Sequence, residues 1–488
     1  MTSSEGTEPQ HGEACIPSES AARQRPAAFS WRFVTPLLMC TTLNAINSSL
    51  IATALVPIAH ALGVSVGRTA ILISALYLAS SIAQPAAGKL AEQLGPRRVL
   101  LVGIVLVLMG GIIGGVGQDI ATLTVARVLI GIGTSAGYPT TMVIIRRRAI
   151  WAGLSDPPGG VLGGLSIAGS VTIAVGPPLG GVLVTLFGWR STFLVNVPIT
   201  VIALLLTLAW VPADARLQRR PLREIASRID IGGIALFGGT MSALLVFLMS
   251  LPSLDWISLG VAVALCVVLV LWELRARTPF IDMRLLVTNL ALTRTYIRGA
   301  LTLLCFYTVL FGLTQWMESA HGLSPHEAGL VLLPMGLFAA IVSQPISARN
   351  LVRGPLVVGA ASLVVGSAAV GLFTSETPVA VIVGVTLLFA TALGTTLVGN
   401  QTALYIQTDV EHLGTATGLF RTFGYIGSIT SSTITGIAFR HNVTDFGMDL
   451  LGGLLTGISI ALLALTVFDR TLKTPKASPT TAMPNTDT

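Results

Sequence analysis

The chain has 488 residues, of which 52% are hydrophobic and only 10% are charged, and its formal net charge is +7. Soluble domains carry about 25% charged residues, so a deficit this deep excludes a string of soluble domains and indicates a polytopic membrane protein. The positive charge does not indicate a nucleic-acid partner, because the basic residues lie in short segments between apolar runs rather than in a stripe with aromatic residues.

The two ends of the chain differ in composition from everything between them. Residues 1–29 are rich in Ser, Glu, Pro, Gln and Ala and contain no apolar run, so they are predicted to be a disordered cytoplasmic tail and not a signal peptide. Residues 470–488, rich in Pro, Thr and Ser, are predicted to be a second tail of this kind. The four cysteines show no C-x-x-C spacing, and they predict neither a disulfide framework nor a metal site.

Between the tails, apolar runs of about 20 residues recur, which is the length that crosses the hydrocarbon core as a helix. They predict an all-α polytopic fold with about 14 transmembrane helices. The runs lie at roughly 33–58, 69–90, 99–117, 121–145, 160–186, 191–211, 231–251, 256–274, 296–317, 325–347, 355–374, 378–404, 413–439 and 447–468.

The positions of the basic residues predict the orientation of these helices. If both ends of the chain are cytoplasmic, the inner loops hold most of the basic residues, and the outer loops hold only Arg68, Arg190 and Arg440. An excess of Lys and Arg in short cytoplasmic loops is the usual bias. The prediction is an even number of spans in the cell membrane, with both termini in the cytoplasm.

The most informative short segment is 88–98, with the sequence GKLAEQLGPRR. Its Gly, Pro and concentrated charges between two apolar runs predict a tight turn at a membrane surface. It resembles the loop between the second and third helices of major facilitator transporters, G-x-L-a-D-r-x-G-r-[RK], with Glu92 where that family usually has Asp. The resemblance implies a conformational latch made of Gly88, Glu92, Gly95, Arg97 and Arg98.

A weak internal repeat supports the same family. The string QPAAGK at 84–89, followed by GP at 95–96, has an echo in QPISAR at 344–349, followed by GP at 354–355. Two duplicated halves with the substrate site at their interface are a design of secondary transporters. The predicted organisation is a six-helix bundle at 30–211, a cytoplasmic linker at 212–229, an inserted helix pair at 230–274, a cytoplasmic loop at 275–295 and a second six-helix bundle at 296–469.

Arg127 lies inside the fourth run, where an unpaired arginine costs roughly 2.5–3.5 kcal/mol by insertion scales. One interpretation is that its side chain snorkels to the nearby interface. The other is that Arg127 faces a water-filled path. The sequence around it resembles the facilitator motif R-x-x-q-G-x-G, with Gly131 and Gly133 at the two glycines, and this resemblance implies a place in the proton or substrate path.

The fifth run carries adjacent glycines and prolines. Pro kinks a helix and Gly allows backbones to approach, so this stretch predicts a bend at a tight helix crossing, for packing alone or for a hinge. It resembles the antiporter motif g-x-x-x-G-P-x-x-G-G of exporters in the superfamily. The resemblance implies a hinge at Gly169, Gly176, Pro177, Gly180 and Gly181.

Two further strings, GWRSTFLVNVP at 188–198 and GLSPHEAGLVLLP at 322–334, look like the fourteen-span drug:proton antiporter family, over about residues 33–468. This resemblance implies multidrug efflux and antibiotic resistance, driven by a proton gradient without a cofactor. That family usually has an acid in its first span, in a pattern like L-D-x-T-x-V-N-x-A-L-P, but Ser48 takes the acid's place here. None of the 22 acids lies convincingly at mid-membrane, so the proton-coupling residue stays unassigned.

The polar residues inside the runs are mostly neutral, and each of them either bonds a neighbouring helix or lines a substrate cavity. The clustering of several in the first run favours a cavity. The candidates are Asn44, Asn47, Ser48, Tyr77, Gln84, Gln315, Asn400, Gln401, Arg421 and Tyr425.

Other protein classes lack their signatures. An ATP-driven pump needs a G-x-x-x-x-G-K-[ST] loop, and a membrane-embedded enzyme needs paired acids, H-E-x-x-H or a Ser/His couple. None of these is present, so no catalytic residue is predicted. The expected protein is a monomeric transporter that exports drug-like or amphipathic organic small molecules. A metabolite or nutrient facilitator or importer of the same superfamily is the alternative, and a membrane-embedded enzyme is a distant one.

Overall fold

A computed structural model describes residues 29–154, 159–214, 230–250, 255–276, 279–281, 283–348, 351–408 and 413–472 of the chain. The predicted tails and most of the predicted linker therefore lie outside the described residues. Within the described residues the chain consists of helices joined by turns and short irregular segments, and it forms no strand.

Eighteen α-helices, numbered here in chain order, make up the described fold. Two short 3-10 helices, Ile51–Ala54 and Val66–Thr69, lie between the first of them. The helices are α1 (Trp31–Leu50), α2 (Leu55–Leu62), α3 (Ala70–Leu94), α4 (Pro96–Val116), α5 (Ile120–Ser135), α6 (Gly137–Trp151), α7 (Gly159–Phe187), α8 (Ser191–Leu194), α9 (Asn196–Trp210), α10 (Ile231–Ser250), α11 (Trp256–Glu273), α12 (Met283–Thr288), α13 (Leu290–Ser319), α14 (Pro325–Ala348), α15 (Arg353–Val370), α16 (Val379–Gln407), α17 (Leu413–Ala438) and α18 (Asp445–Val467).

Eleven helical segments among the described residues are long and apolar enough to cross a membrane. Two shorter apolar stretches, Val171–Phe187 in α7 and Ile231–Phe247 in α10, lie beside them, and α17 packs into the same bundle. The prediction of an all-α polytopic membrane protein is confirmed. The exact number of fourteen spans stays a prediction.

The helices form two groups with a pair between them. In the first group α3 and α4 pack on α5, and α1 packs on α7; in the second, α13 packs on α17, α14 on α16, and α15 on α18. The groups meet where α7 contacts α14 and where α3 contacts α17. Helices α10 and α11 pack on each other, and α10 contacts both α3 and α17. The pair therefore lies beside a junction of the two groups.

The two ends of the bundle differ in charge and packing. The basic end is defined here as the end at which α3 turns into α4 at Gly95, near Lys89, Arg97 and Arg98. The opposite end carries the 3-10 helix Val66–Thr69 and the turn at Gly322.

At the opposite end the two groups touch through their backbones. A Cβ atom added to Gly67 would lie 2.5 Å from the carbonyl oxygen of Gly436. The hydroxyl oxygens of Ser74 in α3 and Ser432 in α17 are 2.6 Å apart. The opposite end is therefore closed between α3 and α17 in this structure, because contacts this short leave no room for a solute between these helices.

Candidate functional site

The turn at the basic end is built around Gly95 and Asp214. Gly95 has a φ of +102°, and a Cβ atom there would lie 2.5 Å from an Asp214 carboxylate oxygen, so only glycine fits. The Asp214 oxygens accept hydrogen bonds from the backbone N–H groups of Arg97, at 3.3 Å, and Arg98, at 2.9 Å. Asp214 thus supplies negative charge at the N-terminus of α4, where the free N–H groups and the helix dipole favour it.

The side chains of the predicted latch make backbone contacts at this turn. The Arg97 guanidinium donates to the Leu208 carbonyl oxygen at 2.7 Å, and that of Arg98 donates to the Leu94 carbonyl oxygen at 3.0 Å. Gly88 lies against Pro139 of α6, while Glu92 is exposed. A role for Glu92 stays a prediction.

Sequence reasoning missed Asp214, which it left inside the basic linker at 212–229. Its side chain is 6% exposed and lies 3.9 Å from an Arg147 nitrogen, so it joins the end of α9 to α4 and α6. The sequence did contain one indication of this role, because Asp214 is a lone acid directly after an apolar run and ahead of a strongly basic segment.

We expect Asp214→Asn to lower the unfolding temperature of the detergent-solubilised protein. The substitution replaces an anionic acceptor of two backbone N–H groups by an amide, and hydrogen bonds to charged groups contribute about 1.5–3 kcal/mol each. Glu92→Gln is the matched control, since it removes a carboxylate charge from the same turn at an exposed position. A larger destabilisation by Glu92→Gln would contradict the assignment of the anchor to Asp214.

Lys89 of the same segment contacts the loop that follows α11. Its ammonium group donates to the Pro279 carbonyl oxygen at 3.0 Å. Nearby, Asp230 accepts from the Trp272 indole at 2.8 Å and from the Phe280 backbone N–H at 3.0 Å. The basic end therefore ties α10 and α11 to α3 through one lysine and one buried carboxylate.

Arg127 is 2% exposed and bonds only backbone carbonyl groups among the described residues. Its Nε donates to the Leu72 oxygen at 3.0 Å, and both terminal nitrogens donate to the Asn47 oxygen at 3.1 Å. One planar guanidinium thus joins α5 to α3 and α1, which suits the fixed fork of Arg. The side chain lies inside the first group and does not reach the interface by snorkelling.

Gly131 and Gly133, which follow Arg127, are packing positions in the structure. A Cβ atom on Gly131 would lie 2.7 Å from the Leu76 carbonyl oxygen in α3, and one on Gly133 would lie 2.4 Å from the Gly103 oxygen in α4. These two glycines let α5 lie directly against its neighbours. A role in the proton or substrate path stays a prediction.

The polar candidates of α1 form a network with other helices of the first group. Asn47 and Asn196 of α9 exchange amide hydrogen bonds of 2.7 and 3.0 Å. The Asn44 amide donates to Ser80 at 3.2 Å and to Thr134 at 3.0 Å, while the Ser48 hydroxyl donates to its own helix backbone. Asn196 was not predicted, although it stands in a string that the sequence singled out.

The glycines of α7 contact both groups of helices. A Cβ atom on Gly176 would clash with the Ser49 side chain, and one on Gly180 would lie 2.3 Å from the Leu50 carbonyl oxygen, both in the first span. One on Gly181 would lie 2.3 Å from the Pro325 oxygen of α14. The Pro177 backbone lies against Gly329 of α14, whereas Gly169 has open space around it.

An aromatic cluster fills the interface between the two groups. The ring of Tyr77 in α3 lies 5.3 Å from that of Tyr307 and 6.5 Å from that of Phe311, both in α13. It also lies 6.1 Å from Tyr425 of α17, whose hydroxyl donates to Gln84. We call these five residues the aromatic seam. Tyr307 and Phe311 were not predicted, because an aromatic in an apolar run looks like core.

The remaining candidates lie apart from one another. Arg421 stacks on the ring of Tyr138 in α6, 3.7 Å from its centroid, and so also bridges the groups. Gln315 is buried in α13, near the opposite end. Gln401 is exposed. Asn400 accepts from Arg298 at 3.2 Å, near the basic end.

Arg298 belongs to a buried ion pair that sequence reasoning missed. Its guanidinium lies 2.7 Å from a carboxylate oxygen of Asp469, just beyond α18, and both side chains are fully buried. Burial opposes ionisation of Asp469, but hydrogen bonds from Thr471 and the Arg298 charge hold its pKa below its usual range. This pair joins α13, α16 and the end of α18.

One apolar cavity of about 420 Å³ opens between α3, α4 and α5. Ala75, Ala79, Leu106 and Val128 are among its lining residues, and none of the predicted site residues lines it. It therefore lies apart from the aromatic seam and from the predicted polar candidates.

Comparison with known proteins identifies the family. Residues 37–432 match the Major Facilitator Superfamily. The chain is 33% identical to the uncharacterized MFS-type transporter YwoD of Bacillus subtilis, over 86% of this chain and 92% of that one. It is 28% identical to the tetracenomycin C resistance and export protein of Streptomyces glaucescens, over 87% of this chain and 78% of that one.

A solved structure has the same fold. A peptide transporter of the POT type superposes with a TM-score of 0.64 at 14% identity, covering 91% of this chain and 98% of that one. The two-group architecture, with the glycine-rich α7 of the first group contacting α14 of the second, agrees with the family match over most of the chain. The chain is a multi-pass membrane protein that belongs to the Major Facilitator Superfamily.

Proposed function

We propose that this protein exports drug-like or amphipathic organic small molecules across the cytoplasmic membrane by alternating access, in exchange for protons. The observation that carries the proposal is the likeness to a tetracenomycin C resistance and export protein over most of both chains. The basic end faces the cytoplasm in this proposal, in keeping with the positive-inside bias.

The interface between the groups supports this mechanism. The opposite end is closed by backbone contacts such as Gly67 on Gly436, while the aromatic seam crosses the interface deeper in the bundle. Aromatic rings with hydroxyl and amide groups offer apolar surface and a few hydrogen bonds, which suits an amphipathic compound. Rocking of one group against the other would open the opposite end and release the compound there.

Accumulation of labelled compounds in cells tests the export. A panel that includes tetracenomycin C, puromycin and ethidium is loaded into an efflux-deficient bacterial strain with and without the protein. We expect lower accumulation of at least one compound when the protein is present, and recovery of the accumulation when a protonophore is added. Higher accumulation with the protein would indicate an importer and overturn the proposal.

We expect Gly181→Ala to reduce export severely while the protein still inserts. The added Cβ atom would meet the Pro325 oxygen at 2.3 Å and the His326 Cα atom at 2.8 Å, which are backbone atoms of the other group and cannot rotate away. The opposite end then cannot close fully. Gly169→Ala in the same helix is the matched control, because nothing lies within 4 Å of its added Cβ atom.

The state of the opposite end is measured directly with a cysteine reporter. Ser432→Cys is introduced with either alanine variant and labelled in intact cells by a membrane-impermeant maleimide. We expect faster labelling with Gly181→Ala than with Gly169→Ala. Equal labelling and equal export would show that the contact of α7 with α14 does not control this end.

A further inference from the structure

The two carboxylate oxygens of Glu318 are buried. It lies in the last turn of α13, at the opposite end, and neither of its carboxylate oxygens has a hydrogen-bond partner among the described residues. Burying a charged group that is neither paired nor hydrogen-bonded is strongly unfavourable. Such a carboxylate either holds a proton or awaits a ligand.

The position of Glu318 on its helix places it in line with the aromatic seam. Tyr307, Phe311, Thr314 and Glu318 follow one another at spacings of three and four residues, so they share one face of α13. Tyr307 and Phe311 on that face contact Tyr77 of the first group. The helix also contacts Ile51–Ala54 and α2 of the first span. Glu318 therefore continues the interface toward the opposite end.

A second buried polar group lies one turn before Glu318. Gln315 is 1% exposed, and neither its amide nitrogen nor its amide oxygen has a hydrogen-bond partner among the described residues. Residues three apart on a helix are neighbours, so the amide lies within the same part of the interface. A neutral carboxyl group can donate a hydrogen bond to an amide oxygen, whereas a carboxylate cannot.

The charged and titratable groups on the adjoining elements are engaged elsewhere or exposed. His60 of α2 is exposed, and Glu327 of α14 accepts from Ser324. Asp445 of α18 accepts from the Trp316 indole, and His321 pairs with the Thr377 carbonyl oxygen.

The other such groups at this end also leave Glu318 without an ion pair among the described residues. His326 of α14 has a buried Nδ1 atom with no hydrogen-bond partner in the described structure, and Asp449 of α18 is exposed. Arg440 and His441 after α17, and Glu376 before α16, are exposed. Within the described residues, therefore, no opposite charge offsets ionisation of Glu318.

We propose that Glu318, with Gln315 beside it, is the proton-binding site of the exchange. The inference deepens the proposed function and rests on it. When the opposite end is open, water reaches Glu318 and the carboxylate takes up a proton from that side. When this end closes, as in the present structure, the dry interface accepts the neutral carboxyl group and rejects the carboxylate. Proton uptake thereby favours closure of the opposite end. To complete the exchange, the proton leaves along the interface to water at the basic end as the compound binds there, and the carboxylate left behind then favours reopening of the opposite end.

A carbodiimide tests proton binding without any substrate. Dicyclohexylcarbodiimide reacts with protonated carboxyl groups in apolar surroundings, and mass spectrometry locates its adducts. We expect an adduct on Glu318 of the purified full-length protein that decreases as pH rises, and none at this position in Glu318→Gln. Glu327→Gln, which removes an exposed carboxylate of the same end, should leave the adduct unchanged. A protein that is never modified at Glu318 would overturn the proposal.

Proteoliposomes then separate the inference from the proposed function. With a compound identified in the accumulation assay, wild type should change the pH inside the liposomes, reported by an enclosed pH-sensitive dye, as the compound moves. Glu318→Gln should lose this proton movement to the level of empty liposomes. We expect Glu318→Gln still to exchange labelled for unlabelled compound. Glu318→Asp, which keeps a carboxyl group, should retain part of the coupling and shows that the site tolerates substitution.

Each other outcome has a definite meaning. Proton movement by Glu318→Gln at the wild-type rate would overturn the assignment of Glu318 and leave proton antiport standing. Exchange by wild type without proton movement, or driven by Na⁺ instead, would overturn proton antiport and the inference together. Loss of labelled exchange as well as coupling in both Glu318 variants would make Glu318 a structural residue and would also count against the assignment.

Discussion

Arg127→Ala is expected to abolish export while the protein still reaches the membrane. The substitution removes the donors to the Leu72 and Asn47 carbonyl oxygens, which hold α3 and α1 against α5. Leaving a buried acceptor unsatisfied costs about 1–3 kcal/mol. Asn47 would also lose its fixed position against Asn196, so the effect would spread to α9.

Export in the accumulation assay and the unfolding temperature of the purified protein measure this effect. Arg127→Lys should restore little of the export or of the unfolding temperature, because one ammonium group replaces a planar guanidinium that reaches two helices at once. Arg32→Ala is the matched control, since Arg32 is exposed at the start of α1. Wild-type export by Arg127→Ala would show that the three-helix junction is dispensable.

A disulfide between α3 and α17 is expected to stop transport reversibly. The side chains of Ser74 and Ser432 meet, with their hydroxyl oxygens 2.6 Å apart, so cysteines at both positions would bring their sulfur atoms within reach of each other and should cross-link on mild oxidation. The cross-link holds the opposite end closed. If transport requires this end to open, export should fall to the level of cells without the protein and return after reduction.

The double variant Ser74→Cys, Ser432→Cys is made in a background without the native cysteines Cys15, Cys40, Cys266 and Cys305. The fraction cross-linked is read from the shift of a peptide after proteolysis, alongside export. Each single cysteine variant, oxidised in parallel, controls for damage by the oxidant. Undiminished export by fully cross-linked protein would exclude alternating access at this end.

Local sequence predicted those parts of the site that depend on one segment. The turn at Gly95 and the crowding of α7 at Gly180 and Gly181 follow from prolines and glycines beside or within one apolar run, whereas the sequence left Arg127 between an interfacial and a water-facing position. These features were predictable because polar groups and freed backbone groups inside a span must be satisfied by neighbouring helices, so a polar residue, Gly or Pro there indicates a specific contact.

Partners from distant segments were not predictable in the same way. Asp214 caps α4 from beyond α9, and Arg298 pairs with Asp469 from the far end of the chain. Each of these residues lies near the end of an apolar run, where a charge is unremarkable. Only the packing of helices shows that these charges are buried and paired.

The sequence by itself determined that this protein is an all-α, multi-pass membrane protein with a facilitator architecture. The reason is that the hydrocarbon core of the bilayer requires apolar helices of about 20 residues, and basic residues collect in the loops on its cytoplasmic side. The tertiary structure alone decided that Tyr77 meets Tyr307, and that the Glu318 carboxylate oxygens are buried with no hydrogen-bond partner in the part of the chain that the structure describes. Such facts depend on which helix faces turn toward each other across the two groups, and residue order within one helix does not specify its neighbour.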